Sequence, residues 1–135
     1  ENDVYLTEED ISQLAQAKAA NVAGLHLLHQ NYGIDFSDLD VFYLAGGFAR
    51  HIDIDHARRI GLIPDLPDER IVQVGNAALE GATLALLSVA AREETDQLVR
   101  RIEHVELETF PEFFHCFTDG AQFVPFQNRI TEAII

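Results

Sequence analysis

No methionine occurs anywhere in this sequence, as expected of a piece cut from something longer. Cysteine occurs once, at Cys116. A lone cysteine excludes an internal disulfide and a Cys-rich iron–sulfur site within the chain, and it points to a reducing compartment. Basic side chains are scarce. Nine Lys and Arg stand against 23 Asp and Glu, a formal net charge of -14. This argues against nucleic-acid binding, because displacing counterions from a duplex needs clustered cations. The same charge disfavours an anionic membrane surface. Long apolar runs are missing too: Gly, Asn or a charge interrupts each before the roughly 20 residues of a bilayer span. Glu1-Asn2-Asp3 has no basic n-region, so it is no secretory signal, and a cytoplasmic location is expected. There is no repeat and no low-complexity tract.

The remaining composition is that of a soluble globular chain, 47% hydrophobic and 24% charged. Its 135 residues suit one domain, which should bury roughly two thirds of its unfolded surface. A mainly parallel α/β sheet is predicted from the order helix, strand, helix, strand, helix. Thr7-Glu8-Glu9-Asp10 caps a first helix that should run to Tyr32 and stop at Gly33. Its apolar stripe reads Ile11, Leu14, Lys18, Val22, Leu25 and Leu28 or His29. Val41–Ala45 reads as a buried strand ended by Gly46-Gly47. A short helix follows, capped near Asp53 or Asp55, and then a loop marked by Pro64 and Pro67. Ile71–Val74 is a second strand. Ala77–Ala91 is a small-residue helix, continued after Arg92 by a charged one to about Glu103. Residues 1–103 thus form the α/β core. In 104–135, His104–Leu107 alternates like an edge strand, and a Phe-rich tail packs back on the body.

The sharpest feature is Tyr43-Leu44-Ala45-Gly46-Gly47-Phe48-Ala49-Arg50. Two glycines at the carboxyl end of a strand let backbone approach a ligand closely, since no Cβ intervenes. A tight turn needing glycine only for its dihedral angles is the plainer reading. The Rossmann and P-loop glycine spacings are both absent. Lys18 could reach a ribose or phosphate across a cleft, or snorkel with its stem packed and its ammonium in water. Asn76 could bond a nucleotide loop or cap the helix it precedes. His51, Asp53, Asp55 and His56 raise a metal question, but Asp53 reads as the cap of a helix start and no metal site is expected. His26 and His29 lie one helical turn apart without a third ligand in sequence, and read as partly buried or surface side chains. Cys116, among Phe113, Phe114 and Phe117, should be an inert thiol.

Several segments together resemble the second half of the acetate/sugar kinase, heat-shock chaperone and actin (ASKHA) superfamily. They are Ala17–Ala20, Leu44–Phe48, Ile60–Asp65 and Gly75–Ala82, with Val105–Leu107 through Phe123–Pro125. Within that superfamily the sequence is most similar to the reductive activators of corrinoid-dependent proteins. The resemblance implies a partial ASKHA (ribonuclease H-like) fold, a mainly parallel sheet flanked by helices with a Phe-rich C-terminal tail. It also implies ATP with Mg²⁺ as cofactor, which the net charge does not exclude, because backbone N–H groups and Mg²⁺ can hold phosphate. Gly46 and Gly47 would then sit against the adenosine and Phe48 would follow in that loop. Family members look like a [2Fe–2S] ferredoxin-type module joined to an ATPase body, and use ATP hydrolysis to drive an electron onto a Co(II) corrinoid. The cluster belongs to an N-terminal part absent from this sequence, as do the first phosphate loop and the catalytic carboxylate. The fragment is therefore expected to be inactive alone.

An alternative keeps the half-fold as a docking scaffold for a corrinoid protein, without nucleotide binding. A third reading, an activator of an acyl-CoA dehydratase, calls for cluster-holding cysteines that Cys116 alone does not supply. Self-association is a further expectation, as cover for an open sheet edge.

Overall fold

Thr7 starts the first helix, α1 (Glu8–Tyr32), in the computed structural model, which describes residues 4–126. The Thr7 hydroxyl accepts the Asp10 N–H at 3.1 Å, and the Asp10 carboxylate accepts the Thr7 N–H at 2.9 Å. Two helix-end donors are thereby satisfied reciprocally. At the other end Gly33 turns left-handed at φ 66° and donates to the carbonyls of His29 and Gln30, the predicted stop. The buried face of α1 is not the predicted stripe. It comprises Lys18, Ala19, Val22, Ala23, Gly24, His26 and Leu27, while Ile11, Leu14 and Leu28 stay exposed. The reason is its partner, α5 (Phe113–Gly120), which approaches over small residues. A Cβ added to Gly120 would lie 3.1 Å from the Ala19 backbone.

Contacts gather the chain into two units. Of the described residues, one holds 4–38, Asp53–Leu66 and 106–126; the other holds Leu39–Ile52 and Pro67–Val105. The units interleave along the sequence, where a core ending at 103 and a following tail were expected. In the first unit, Ala23, Leu27 and Cys116 form a core cluster joined by Leu107, Phe110, Phe113 and Phe117. Leu27 is fully buried, which contributes about 2 kcal/mol. The aromatic tail does pack back, except that Phe114 and Phe123 face outward. Helix α2 (Ile54–Arg59) is capped by Asp53, whose carboxylate accepts the His56 N–H at 2.9 Å. The turn beyond α2 is tied to α1 by the Asn21 side-chain amide, which donates to the Leu62 carbonyl at 2.8 Å.

The second unit contains a two-stranded parallel sheet, β1 (Phe42–Ala45) beside β2 (Ile71–Gly75). Phe42 pairs with Ile71, Tyr43 with Val72 and Leu44 with Gln73; the register then slips so that Ala45 pairs with Gly75. Helices α3 (Ala77–Leu87) and α4 (Val89–Val99) replace the predicted continuous helix. Ser88 breaks it: its backbone is extended and its hydroxyl accepts the Ala91 N–H at 3.2 Å, so it restarts the helix as a cap. Helix α4 also stops short of Glu103. Helix α3 buries no residue, and Leu79, Leu84, Leu86 and Leu87 are all exposed. The expected edge strand at His104–Leu107 does not form. Val105 and Leu107 are half-buried, as the alternation predicted, but no strand among the described residues pairs with them, and Leu107–Thr109 coils into a 3-10 turn.

No helix among the described residues is long and apolar enough to cross a membrane.

Candidate functional site

The carboxyl ends of β1 and β2 meet through two glycines. Gly46 stands at φ 106° and Gly75 at φ 66°, both in the region that favours glycine. The Gly46 N–H donates to the Gly75 carbonyl, locking the two turns together. A Cβ placed on Gly46 or Gly47 would meet no atom within 4 Å, so the space over this turn is open. Phe48, next in the chain, is 79% exposed. Ala49 is buried and opens a 3-10 turn, Ala49–His51.

Gln73 holds that turn in place. Its side-chain amide donates to the Ala49 carbonyl at 2.7 Å and to the Ile52 carbonyl at 2.9 Å. Arg50 projects from the turn over Gly75, its Nε 3.9 Å from where a Gly75 Cβ would stand. Beyond Gly75, Asn76 caps α3: its side-chain oxygen accepts the Leu79 N–H at 3.1 Å. The arrangement offers close-approach backbone, a guanidinium and a helix start on the side of the sheet where α/β folds take ligands. A flat heterocycle carrying an anionic group suits it, since guanidinium both stacks on rings and forks to phosphate.

The other predicted residues sit elsewhere. Lys18 lies in the first unit, 2% exposed, and its ammonium donates to the carbonyls of Gly120 at 2.7 Å and Gln122 at 2.8 Å. The snorkelling reading is overturned, because burial closes the route to water and backbone carbonyls take its place. Two of its three donors are committed, and these contacts lend nothing to a nucleotide role. Burial lowers its pKa from the usual lysine value. Asn76 makes the capping contact, while Gly46, Gly47 and Phe48 form the open turn.

Among the described residues no three His, Cys, Asp or Glu side chains are grouped to hold an ion. Asp53 caps α2 instead, with the exposed His56 ring 3.5 Å away. A [2Fe–2S] cluster does not fit these residues either. Cys116 is buried, and burial, then the Asp119 and Glu112 carboxylates, push its thiol pKa up.

Arg50 and Gln73 were missed by sequence reasoning. A signal existed for Gln73, a polar residue inside the apolar run Ile71–Val74 that a two-faced buried strand does not explain. Arg50 closes the glycine segment already singled out, but its position over Gly75 depends on strand pairing.

Comparison with known proteins places these features in context. A family model described as the C-terminal domain of RACo, the ASKHA domain, matches residues 1–133. The corrinoid activation enzyme RamQ of Eubacterium limosum is 36% identical over 121 residues, covering 90% of this chain and 20% of that protein. The [Co(II) methylated amine-specific corrinoid protein] reductase of Methanosarcina barkeri is 29% identical over 118 residues, covering 84% of this chain and 22% of the relative. Among solved structures, a reductive activator for corrinoid, iron-sulfur protein superposes with a TM-score of 0.83 at 35% identity, over 90% of this chain and 19% of its own. The chain spans about one fifth of the length of the curated relatives it matches. The expected α/β, ASKHA-type fold agrees with that superposition.

Proposed function

Because this chain belongs to the family of RACo C-terminal ASKHA domains, we propose that it supplies the adenosine-facing wall of the nucleotide site in an ATP-dependent reductive activator of corrinoid proteins. One observation carries the reading: the interlocked turns at Gly46 and Gly75, open above and overlooked by Arg50. Gly46 and Gly47 would let the adenosine lie against backbone, Phe48 would flank it, and Arg50 would stack on the base or fork to a phosphate. Gln73 positions the Ala49–His51 turn, and hence Arg50, without touching the ligand. When bound, ATP would supply the hydrolysis energy that raises an electron onto Co(II). The described residues contribute no metal ligand set and no iron–sulfur ligands, so those roles, and catalysis itself, would lie outside them.

Relatives named for corrinoid activation and corrinoid-protein reduction support a corrinoid protein as the partner of the whole protein. A second reading, a docking scaffold without nucleotide, draws on the exposed apolar side chains of α3.

Calorimetric titration with Mg·ATP and Mg·ADP decides between them, on the full-length protein and on this chain. Gly47→Val is the informative variant, because a Cβ there meets nothing within 4 Å and the fold should tolerate it. Affinity that the valine abolishes supports the adenosine wall. Unchanged affinity in the full-length variant refutes it, and absence of any nucleotide binding in the full-length protein favours the scaffold.

A further inference from the structure

The chain from Ala121 to Phe126 crosses the first unit held at three points. The Gln122 carbonyl accepts the Lys18 ammonium at 2.8 Å. Val124 and Phe126 run so close to the left-handed Gly61 that a Cβ there would overlap the Val124 carbonyl oxygen. Phe126 closes the path, 8% exposed, in a four-ring cluster. Its ring stacks on His26 at 4.6 Å and 13° and meets Phe36 edge-on at 5.0 Å; His29 stacks on the other side of the cluster, on Phe36 at 4.9 Å.

His26 makes this cluster unusual. It is 7% exposed, and its Nδ1 has no hydrogen-bond partner among the described residues. The His29 Nδ1 is likewise buried and unpartnered. A neutral imidazole beside phenyl rings tolerates this; an imidazolium does not, since a charge and an Nδ1–H donor would lack water. Among the described residues the charges acting on His26 are few. His29, on the same helix, opposes protonation, and Asp119 on α5 favours it. The 3-10 turn that carries Phe36 adds Asp38, whose carboxylate already accepts the Asp35 N–H at 3.2 Å. Residues 121–126 carry no titratable group.

We propose that Gln122–Phe126 is an acid-released strap, latched onto α1 by the stacking of Phe126 on neutral His26. The strap closes preferentially over an unprotonated ring. Release returns the ring to water, withdraws the Gln122 carbonyl from Lys18 and uncovers the turn at Gly61. Desolvation, then His29, hold the closed-state pKa of His26 below the ordinary histidine value, with Asp119 offsetting part of the shift. The sign follows. Above the ordinary value, about 6.5, both states are neutral and closure is fully favoured. As pH falls from there toward the closed-state pKa, the open state binds the extra proton, and each pH unit lowers the closed-to-open ratio by up to about tenfold. The device is independent of the nucleotide reading.

NMR of the full chain with labelled His and Phe tests it between pH 8 and 4.5. In the wild type, His26 protonation and loss of the Phe126–His26 ring contacts should share one midpoint, below that of an exposed histidine. His26→Phe, which stacks but cannot titrate, should keep Phe126 in place throughout. Phe126→Ala should raise the His26 midpoint toward the ordinary value. Should His26→Phe fail to fold, the wild type and Phe126→Ala decide the matter together. The strap is disproved if Phe126 stays put while His26 gains its proton, if His26→Phe releases Phe126 at the wild-type midpoint, or if Phe126→Ala leaves the midpoint unmoved.

Discussion

The Lys18 ammonium donates to the Gly120 carbonyl at 2.7 Å, joining the buried face of α1 to the end of α5. A helix end leaves carbonyls without partners, and here a charge brought from another helix satisfies one. Lys18→Met keeps the stem and removes the donors, leaving the buried Gly120 carbonyl and the part-buried Gln122 carbonyl without this donor. Stability should fall by about 1.5–3 kcal/mol, read from urea unfolding with an unchanged denaturant slope. A variant as stable as wild type would show that the ammonium is dispensable there.

Gly33 and Gly61 separate backbone strain from steric conflict. Both have positive φ, but a Cβ on Gly33 meets nothing within 4 Å, whereas one on Gly61 runs into the Val124 carbonyl. Gly33→Ala should cost roughly 1–2 kcal/mol from left-handed strain alone. Gly61→Ala should cost more, and proteolysis near Val124 should accelerate only in that variant. Equal losses in both would remove the case for close approach at Gly61.

Asn76 gives a clean test of capping against ligand binding. Asn76→Ala should lose about 1 kcal/mol of stability, while Asn76→Ser and Asn76→Asp should lose little, because both side chains accept the Leu79 N–H. If Asn76 acts only as a cap, all three should bind nucleotide as the wild type does under conditions where each is folded. A specific loss of affinity in a stable Asn76→Ser would place the amide on the ligand.

Cys116 should react with a thiol reagent at neutral pH far more slowly than a free cysteine, since its thiol is buried and its pKa pushed up. Adding urea through the unfolding transition should restore the full rate. Fast labelling of the folded protein would mean that α5 lifts readily from α1.

What could be read from the sequence was set by neighbours along the chain. Thr7 with Asp10, Gly33 and Asp53 all act within a few residues, so their chemistry was visible without a fold. Ser88 also acts locally, but the apolar residues around it masked the cap. Tertiary contacts hid the rest. The buried face of α1 turns toward small residues because Gly120 needs the room at Ala19, and no periodicity in α1 records that. Lys18 looked like a lysine bound for water because its acceptors lie on residues 120 and 122. At the candidate site the turn was legible, while Arg50 over Gly75 became visible only once β1 and β2 were paired.

The bond from the Gly46 N–H to the Gly75 carbonyl also bears on the order in which this chain folds. β1 can extend by itself, but the turn that follows it has no fixed partner until β2 arrives from beyond α2 and the proline loop. Loop closure must come first, so the open turn is organised by a non-local, entropically costly step and not by its own two glycines. Lesions that slow the pairing of Leu44 with Gln73 should therefore delay formation of this turn during refolding, even where the equilibrium structure is untouched.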